Sequence, residues 1–219
     1  MQIPARKKLW QYPRVRLAAA LLLGAVLVLL LAYILSGGSA EPAVAQGNLP
    51  GMEGLPLYES LLREGSPGRP GTERTIEYVV IHETANRDAG ADARNHAKFL
   101  QGGRGGSTSW HYTVDDSCVY RHIPDNEVAW HAGDRETPHG GNLCGIGVEL
   151  CVNSDGDFEE AFDNGARLTA ALLHQYSLPL SAVRQHADFA EKNCPQTIRD
   201  EGRWQEFLDR TEQYLDKLS

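Results

Sequence analysis

Positive charge is scarce in this chain. With Arg6, Lys7, Lys8, Arg14 and Arg16 of the first sixteen residues set aside, 16 lysines and arginines face 29 aspartates and glutamates, a net of −13. Nucleic-acid recognition calls for clustered cations, so nucleic acid is excluded as a partner, and attraction to anionic polymers by charge alone goes with it. Internal repeats are absent, which removes solenoid and propeller arrays. The glycine-rich stretch Gly102 to Gly106 has no Lys-Ser/Thr after it and is not a phosphate loop. Cysteine is limited to Cys118, Cys144, Cys151 and Cys194, which allow three pairings if all are oxidised. Cys144 and Cys151 flank an expected strand, and their extended separation argues against a bond between them.

Long apolar runs are equally rare, with one exception. Residues 17–35 are uncharged and follow the basic, acid-free segment 1–16. Nineteen helical residues span about 28 Å, close to the ~30 Å hydrocarbon core. The positive-inside rule then leaves residues 1–16 in the cytoplasm and exports the remainder. The sequence reads as a single-pass signal anchor at the cell membrane. The competing reading is secretion after cleavage, for which Ala43-Val44-Ala45 and Gly38-Ser39-Ala40 have the small-x-small pattern. Residues 36–74, rich in glycine and proline, read as a linker, with a short helical turn at Leu57–Leu62. A catalytic domain is expected over 75–219.

Within that domain, Ile76 to Ile81 is a β-branched run without alternation, the mark of a strand covered on both faces. A helix is expected from Ala89 to Leu100, a hairpin from strands at 111–114 and 119–123, and a long loop from Trp130 to Gly145. Residues 145–152 form another strand, in which alternation sets Glu149 apart from Val148 and Leu150. Asp157 begins a helix to about Tyr176, Val183–Gln185 is a short strand, and a terminal amphipathic helix carries Trp204, Phe207, Leu208, Thr211 and Leu215. Strands alternating with helices give an α/β fold, a mixed central β-sheet flanked by helices.

Two histidines, His82 and His186, stand where expected strands run into loops, and Cys194 follows eight residues after the second. Neutral imidazole and thiolate are ligands that zinc prefers, and three protein ligands leave one tetrahedral position open, as catalytic zinc requires. Zn2+ is therefore the expected cofactor, with His82, His186 and Cys194 as its ligands.

Val79-Val80-Ile81-His82, Trp110-His111-Tyr112, Ala129-Trp130-His131-Ala132-Gly133, Ile146-Gly147-Val148-Glu149 and the stretch His186 to Pro195 resemble, in order and spacing, the type-2 N-acetylmuramoyl-L-alanine amidases. The resemblance covers roughly residues 75–204. It implies a mixed sheet with flanking helices and zinc-dependent cleavage of the amide between N-acetylmuramic acid and L-alanine in peptidoglycan, the expected partner. It also implies that Glu149 is the base and that Lys192 steadies the transition state. Some members carry a catalytic tyrosine where this chain has Trp110, so Glu149 must carry more of the proton transfer. Trp110, Trp130 and His131 are expected to contact substrate, His131 at the rim of the site. His111 is expected in the core or behind the ligands, and His96, His122, His139 and His174 at the surface. A non-catalytic peptidoglycan receptor on the same fold is the alternative, although such relatives lack the metal-binding cysteine. Oligomeric state does not follow from the residues.

Overall fold

The computed structural model describes residues 49–219. Six strands form one sheet: β1 (Leu57–Glu59), β2 (Tyr78–Glu83), β3 (Tyr112–Val114), β4 (Val119–Arg121), β5 (Gly145–Leu150) and β6 (Val183–Gln185). Their order is β1-β4-β3-β5-β2-β6. Only β3 and β4 pair antiparallel, through the hairpin; all other neighbours are parallel. The helices are α1 (Ala93–Gln101), α2 (Gly141–Cys144), α3 (Phe158–Gln175), α4 (Gln196–Asp200) and α5 (Trp204–Asp216). The mixed sheet with flanking helices matches the fold expected from the sequence.

Alternation along the two central strands divides the domain. Val79, Ile81, Ile146, Val148 and Leu150 are buried in one cluster with Phe162, Ala166 and Leu172 of α3 and Phe207 of α5. Each of the larger aliphatic and aromatic side chains contributes about 1.5–3 kcal/mol by leaving water. Asp157 caps α3 by accepting the amides of Glu159 and Glu160, and the Phe162 and Phe207 rings meet edge to face at 5.3 Å. The intervening positions Val80, His82, Gly145, Gly147 and Glu149 belong to the opposite face by the same period of two. That face is left for chemistry because the helical layer of α3 and α5 already supplies the core.

Three expectations about the chain's organisation are corrected. The segment expected as a linker is bound to the domain from residue 49 onward. Met52, Leu55, Leu57 and Leu62 are buried, Leu57–Glu59 is a strand that pairs with β4, not a helical turn, and Arg69 grips Glu127 through two hydrogen bonds of 2.7 and 2.6 Å. The Gly/Pro turns that suggest a linker punctuate short apolar pieces, and these cover a sheet edge that would otherwise be open. Helix α1 starts at Ala93, not Ala89, because Asp92 supplies its N-cap by accepting the Asn95 amide.

The third correction concerns the membrane. The helix expected over 17–35, with the basic segment 1–16 and both cleavage candidates, lies outside the described residues. Among the described residues no helix is long and apolar enough to cross a membrane. The longest, α3, carries Glu159, Glu160, Asp163 and Arg167 within its amphipathic sequence. The expected placement as a single-pass protein of the cell membrane, with the membrane as a partner, is withdrawn on that finding.

Candidate functional site

The parallel register brings the site together. His82 on β2 stands opposite Glu149 on β5, and Ile81 stands opposite Gln185 on β6, so that His186, the next residue, falls beside His82. Gln185 is held as the chain turns there because its amide donates to the Asp188 carboxylate at 3.0 Å. The chain then loops back, with the Ala187 amide donating to the Cys194 carbonyl at 3.0 Å. Just beyond, the Glu83 carboxylate accepts the Thr197 and Ile198 amides at 2.9 Å each, tying the end of that loop to the strand that carries His82.

The result is a tight, buried cluster. His82 Nδ1 lies 2.9 Å from His186 Nδ1 and 3.9 Å from Cys194 Sγ, and the three donor atoms all fall within 4.8 Å of one another. The tautomers follow from the surrounding hydrogen bonds. His131 Nε2 faces the Gly145 carbonyl at 3.0 Å and must donate to it. Its Nδ1 is therefore an acceptor and takes the proton of His82 Nε2 at 2.9 Å, which leaves the His82 Nδ1 lone pair facing the cluster. His186 hydrogen-bonds to the Ala132 carbonyl, and its Nε2 is the nitrogen on the Gly133 side, so its Nδ1 also presents a lone pair.

Two lone pairs and a sulfur converge with no proton between the nitrogens. Burial, with the neighbouring imidazoles adding to it, holds His82 well below the usual histidine range. Burial likewise lowers His131 to about 3 and His186 to about 4. The rings are neutral at neutral pH, the form that binds metal. Burial, with Glu149 nearby, pushes the Cys194 thiol up to about 12, so a cation entering the cluster must displace that proton. Nitrogen, nitrogen and sulfur donors of this kind suit zinc.

Glu149 completes the arrangement. Its Oε2 is covered yet has no hydrogen-bond partner. Burial raises its pKa to about 7, against the pull of the Lys192 cation. Glu149, the exposed Lys192 and Trp110 line a groove of about 570 Å³ together with the β2–α1 connection and the side chains of His96 and Phe99.

Not every expected residue sits where the sequence suggests. His131 is not at the rim: it is 6% exposed and stands behind His82 as its hydrogen-bond acceptor. Its peptide is fixed by Asn142, whose Oδ1 accepts the His131 and Ala132 amides at 2.7 Å each. His111 lies deeper still, accepting the Gly147 amide at Nδ1, in agreement with its expected place. Trp110 is nearly buried, its indole donating to Thr113 Oγ1 at 2.6 Å, and reaches the groove at its wall. Trp130 lines a different, open cleft with Gly133, Asp134 and Asn142. His139 and His174 are exposed as expected. His122 is fully buried, its Nε2 at 2.8 Å from Thr113 Oγ1, and His96 is half-buried on the groove. All four cysteines are free thiols.

The signal that identifies His131 as a positioning residue is Gly147. A Cβ at 147 would lie 2.7 Å from His131 Cγ and 2.9 Å from its Nδ1, so glycine lets the imidazole rest against the sheet. Gly147→Ala is expected to destabilise the domain by about 1–3 kcal/mol through overpacking. A thermal midpoint equal to wild type would show that His131 does not need this space.

The chain is similar to known proteins in both sequence and fold. The family profile described as N-acetylmuramoyl-L-alanine amidase (Amidase_2) matches residues 72–197. The chain is similar to the N-acetylmuramoyl-L-alanine amidase CwlH of Bacillus subtilis (strain 168), 44% identical over 153 residues that cover 70% of this chain and 60% of the relative. It is also similar to XlyA of the same organism, 40% identical over 144 residues, 66% of this chain and 48% of the relative. The chain thus spans about half the length of the curated relatives it matches. The solved catalytic domain of XlyA superimposes with a TM-score of 0.67 at 38% identity, covering 71% of this chain and 98% of that one. The family profile covers more than half of the sequence, and the chain belongs to the N-acetylmuramoyl-L-alanine amidase (Amidase_2) family.

Proposed function

We propose that this domain is a zinc-dependent cell-wall amidase that hydrolyses the bond between the lactyl group of N-acetylmuramic acid and L-alanine in peptidoglycan. The observation that carries the reading is the convergence of His82 Nδ1, His186 Nδ1 and Cys194 Sγ beside an unpartnered carboxylate oxygen of Glu149. His82, His186 and Cys194 would hold the zinc ion. A zinc ion held there would supply Lewis-acid chemistry, polarising a carbonyl and acidifying water.

The chain's own residues do the rest. Glu149 takes a proton from the attacking water as its oxygen adds to the lactyl carbonyl carbon. It returns that proton to the alanine nitrogen as the C–N bond breaks. A carboxylate with a pKa near neutrality is suited to both halves of the exchange. Lys192 places a cation at the groove, where negative charge gathers on the carbonyl oxygen. His131 keeps the lone pair of His82 turned inward. Trp110 forms an apolar wall against which a stem peptide or sugar packs, and Trp130 offers a second contact in the neighbouring cleft.

Digestion of purified peptidoglycan tests the reading. Mass spectrometry is expected to show free lactyl carboxyls and new alanine amino termini appearing together. The products should vanish after chelation and return when zinc is added back. Hydrolysis that survives complete metal removal, or cleavage of a different bond, overturns it.

A further inference from the structure

We propose that Glu77, His139 and Cys144 form a second, solvent-facing site for a divalent transition metal of zinc's class, separate from the His82–His186–Cys194 centre. The three residues come from three places: Glu77 just before β2, His139 in the loop that precedes α2, and Cys144 at the end of α2. Their ligand atoms lie within 4.8 Å of one another. His139 Nδ1 is 2.8 Å from Glu77 Oε1, with side-chain exposures of 77% and 30%, so the pair borders water. Cys144 closes the inner side at 8% exposure.

The backbone underneath is already tied. The Glu77 amide donates to the Cys144 carbonyl at 2.8 Å, and the Cys144 amide donates to the Gly140 carbonyl at 2.9 Å. An exposed carboxylate–imidazole pair alone contributes little to stability, and the Cys144 thiol hydrogen-bonds to the same Glu77 carboxylate. The thiol is the informative member. Sulfur, imidazole and carboxylate in one cluster select zinc-like ions over magnesium or calcium. Three protein donors would leave a position for water to complete the coordination of such an ion.

The location gives such an ion a consequence. Glu77, directly before β2, precedes His82 by five residues, about 16 Å at the usual strand rise. Cys144, at the end of α2 and directly before β5, precedes Glu149 by the same five residues. The two sites therefore sit at opposite ends of the β2–β5 pair. Leading into Cys144 is the segment of residues 134–144, which ends in α2 and whose Asn142 side chain accepts the His131 and Ala132 amides. An ion joining His139 and Cys144 to Glu77 fastens that segment, and with it the residue on which His82 leans.

The test is zinc stoichiometry of the metal-stripped chain, measured by equilibrium dialysis and elemental analysis. Wild type is expected to bind two equivalents and Glu77→Gln, His139→Asn, Cys144→Ser and Cys194→Ala one each. Asparagine is chosen at 139 because the residue has φ of +56°, a conformation asparagine tolerates. Cobalt-loaded Cys194→Ala should keep a thiolate-to-metal charge-transfer band that the Cys194→Ala/Cys144→Ser double variant lacks. The second equivalent should slow amide exchange over residues 134–144 in wild type and not in His139→Asn. One equivalent in wild type, undiminished in His139→Asn and Cys144→Ser, with no charge-transfer band in Cys194→Ala, overturns the proposal.

Discussion

Glu149→Gln is expected to retain its zinc and lose turnover by about 10²–10⁴-fold, the range that general acid–base catalysis contributes. The substitution preserves shape and one hydrogen-bonding oxygen while removing the group that accepts the water proton. Glu149 is not among the three converging donors, so metal content measured by elemental analysis should match wild type. The loss should fall on kcat, because the groove wall formed by Trp110 and the β2–α1 connection remains. Burial disfavours the charge of the Glu149 carboxylate and the amide is neutral, so thermal stability near and above neutral pH should hold or rise. A Glu149→Gln protein with wild-type kcat would remove Glu149 from the reaction.

Cys194→Ala and His82→Ala are expected to behave differently, losing one metal equivalent together with activity. Loss of the cation removes charge stabilisation of several kcal/mol from the transition state, about 10³-fold or more in rate. The aliphatic and aromatic core around Phe162 and Phe207 lies on the opposite face of the sheet, and the folded state of the apo variants should survive. Circular dichroism would verify it before activity is interpreted. His82→Ala has a second signature: His131 Nδ1 loses the proton it accepts from His82 Nε2, which leaves a buried acceptor unpaired at a cost of about 1–3 kcal/mol. His82→Ala should thus unfold at a lower temperature than Cys194→Ala when both are metal-free. Activity within tenfold of wild type in either variant, with the metal equivalent lost, would separate the metal from the reaction.

Much of this site is legible in residue order because its members are marked locally. His82 and His186 end strands, and strand ends are rigid yet leave side chains free. Cys194 follows in a short loop that can return. Glu149 stands out because a carboxylate within the apolar Ile146–Leu150 run must point away from Val148 and Leu150. The mixed sheet is similarly readable from the alternation of apolar strands with amphipathic helices.

His131 shows where that legibility stops. Its setting in Trp130-His131-Ala132-Gly133 is compatible with a rim contact, and only the partners of its two ring nitrogens, Gly145 and His82, identify it as the support of a ligand. Those partners are 14 and 49 positions away. The burial of His122 and His96 is unreadable for the same reason, since it depends on what another strand or helix lays over them. The docked segment from residue 49 is a further case: its glycines and prolines report turns, but nothing local reports that Met52, Leu55 and Leu57 have a sheet edge to cover.

Periodicity and ligand chemistry are properties of neighbours in the chain, and they mark which side chains are able to bind metal or move a proton and which face of each strand they occupy. Tertiary structure alone decided that β5, β2 and β6 lie side by side in the register that makes His82, Glu149 and His186 converge. Strand order and register are set by packing among segments far apart in sequence, and the direction of a lone pair is set by whichever carbonyl that packing places behind it.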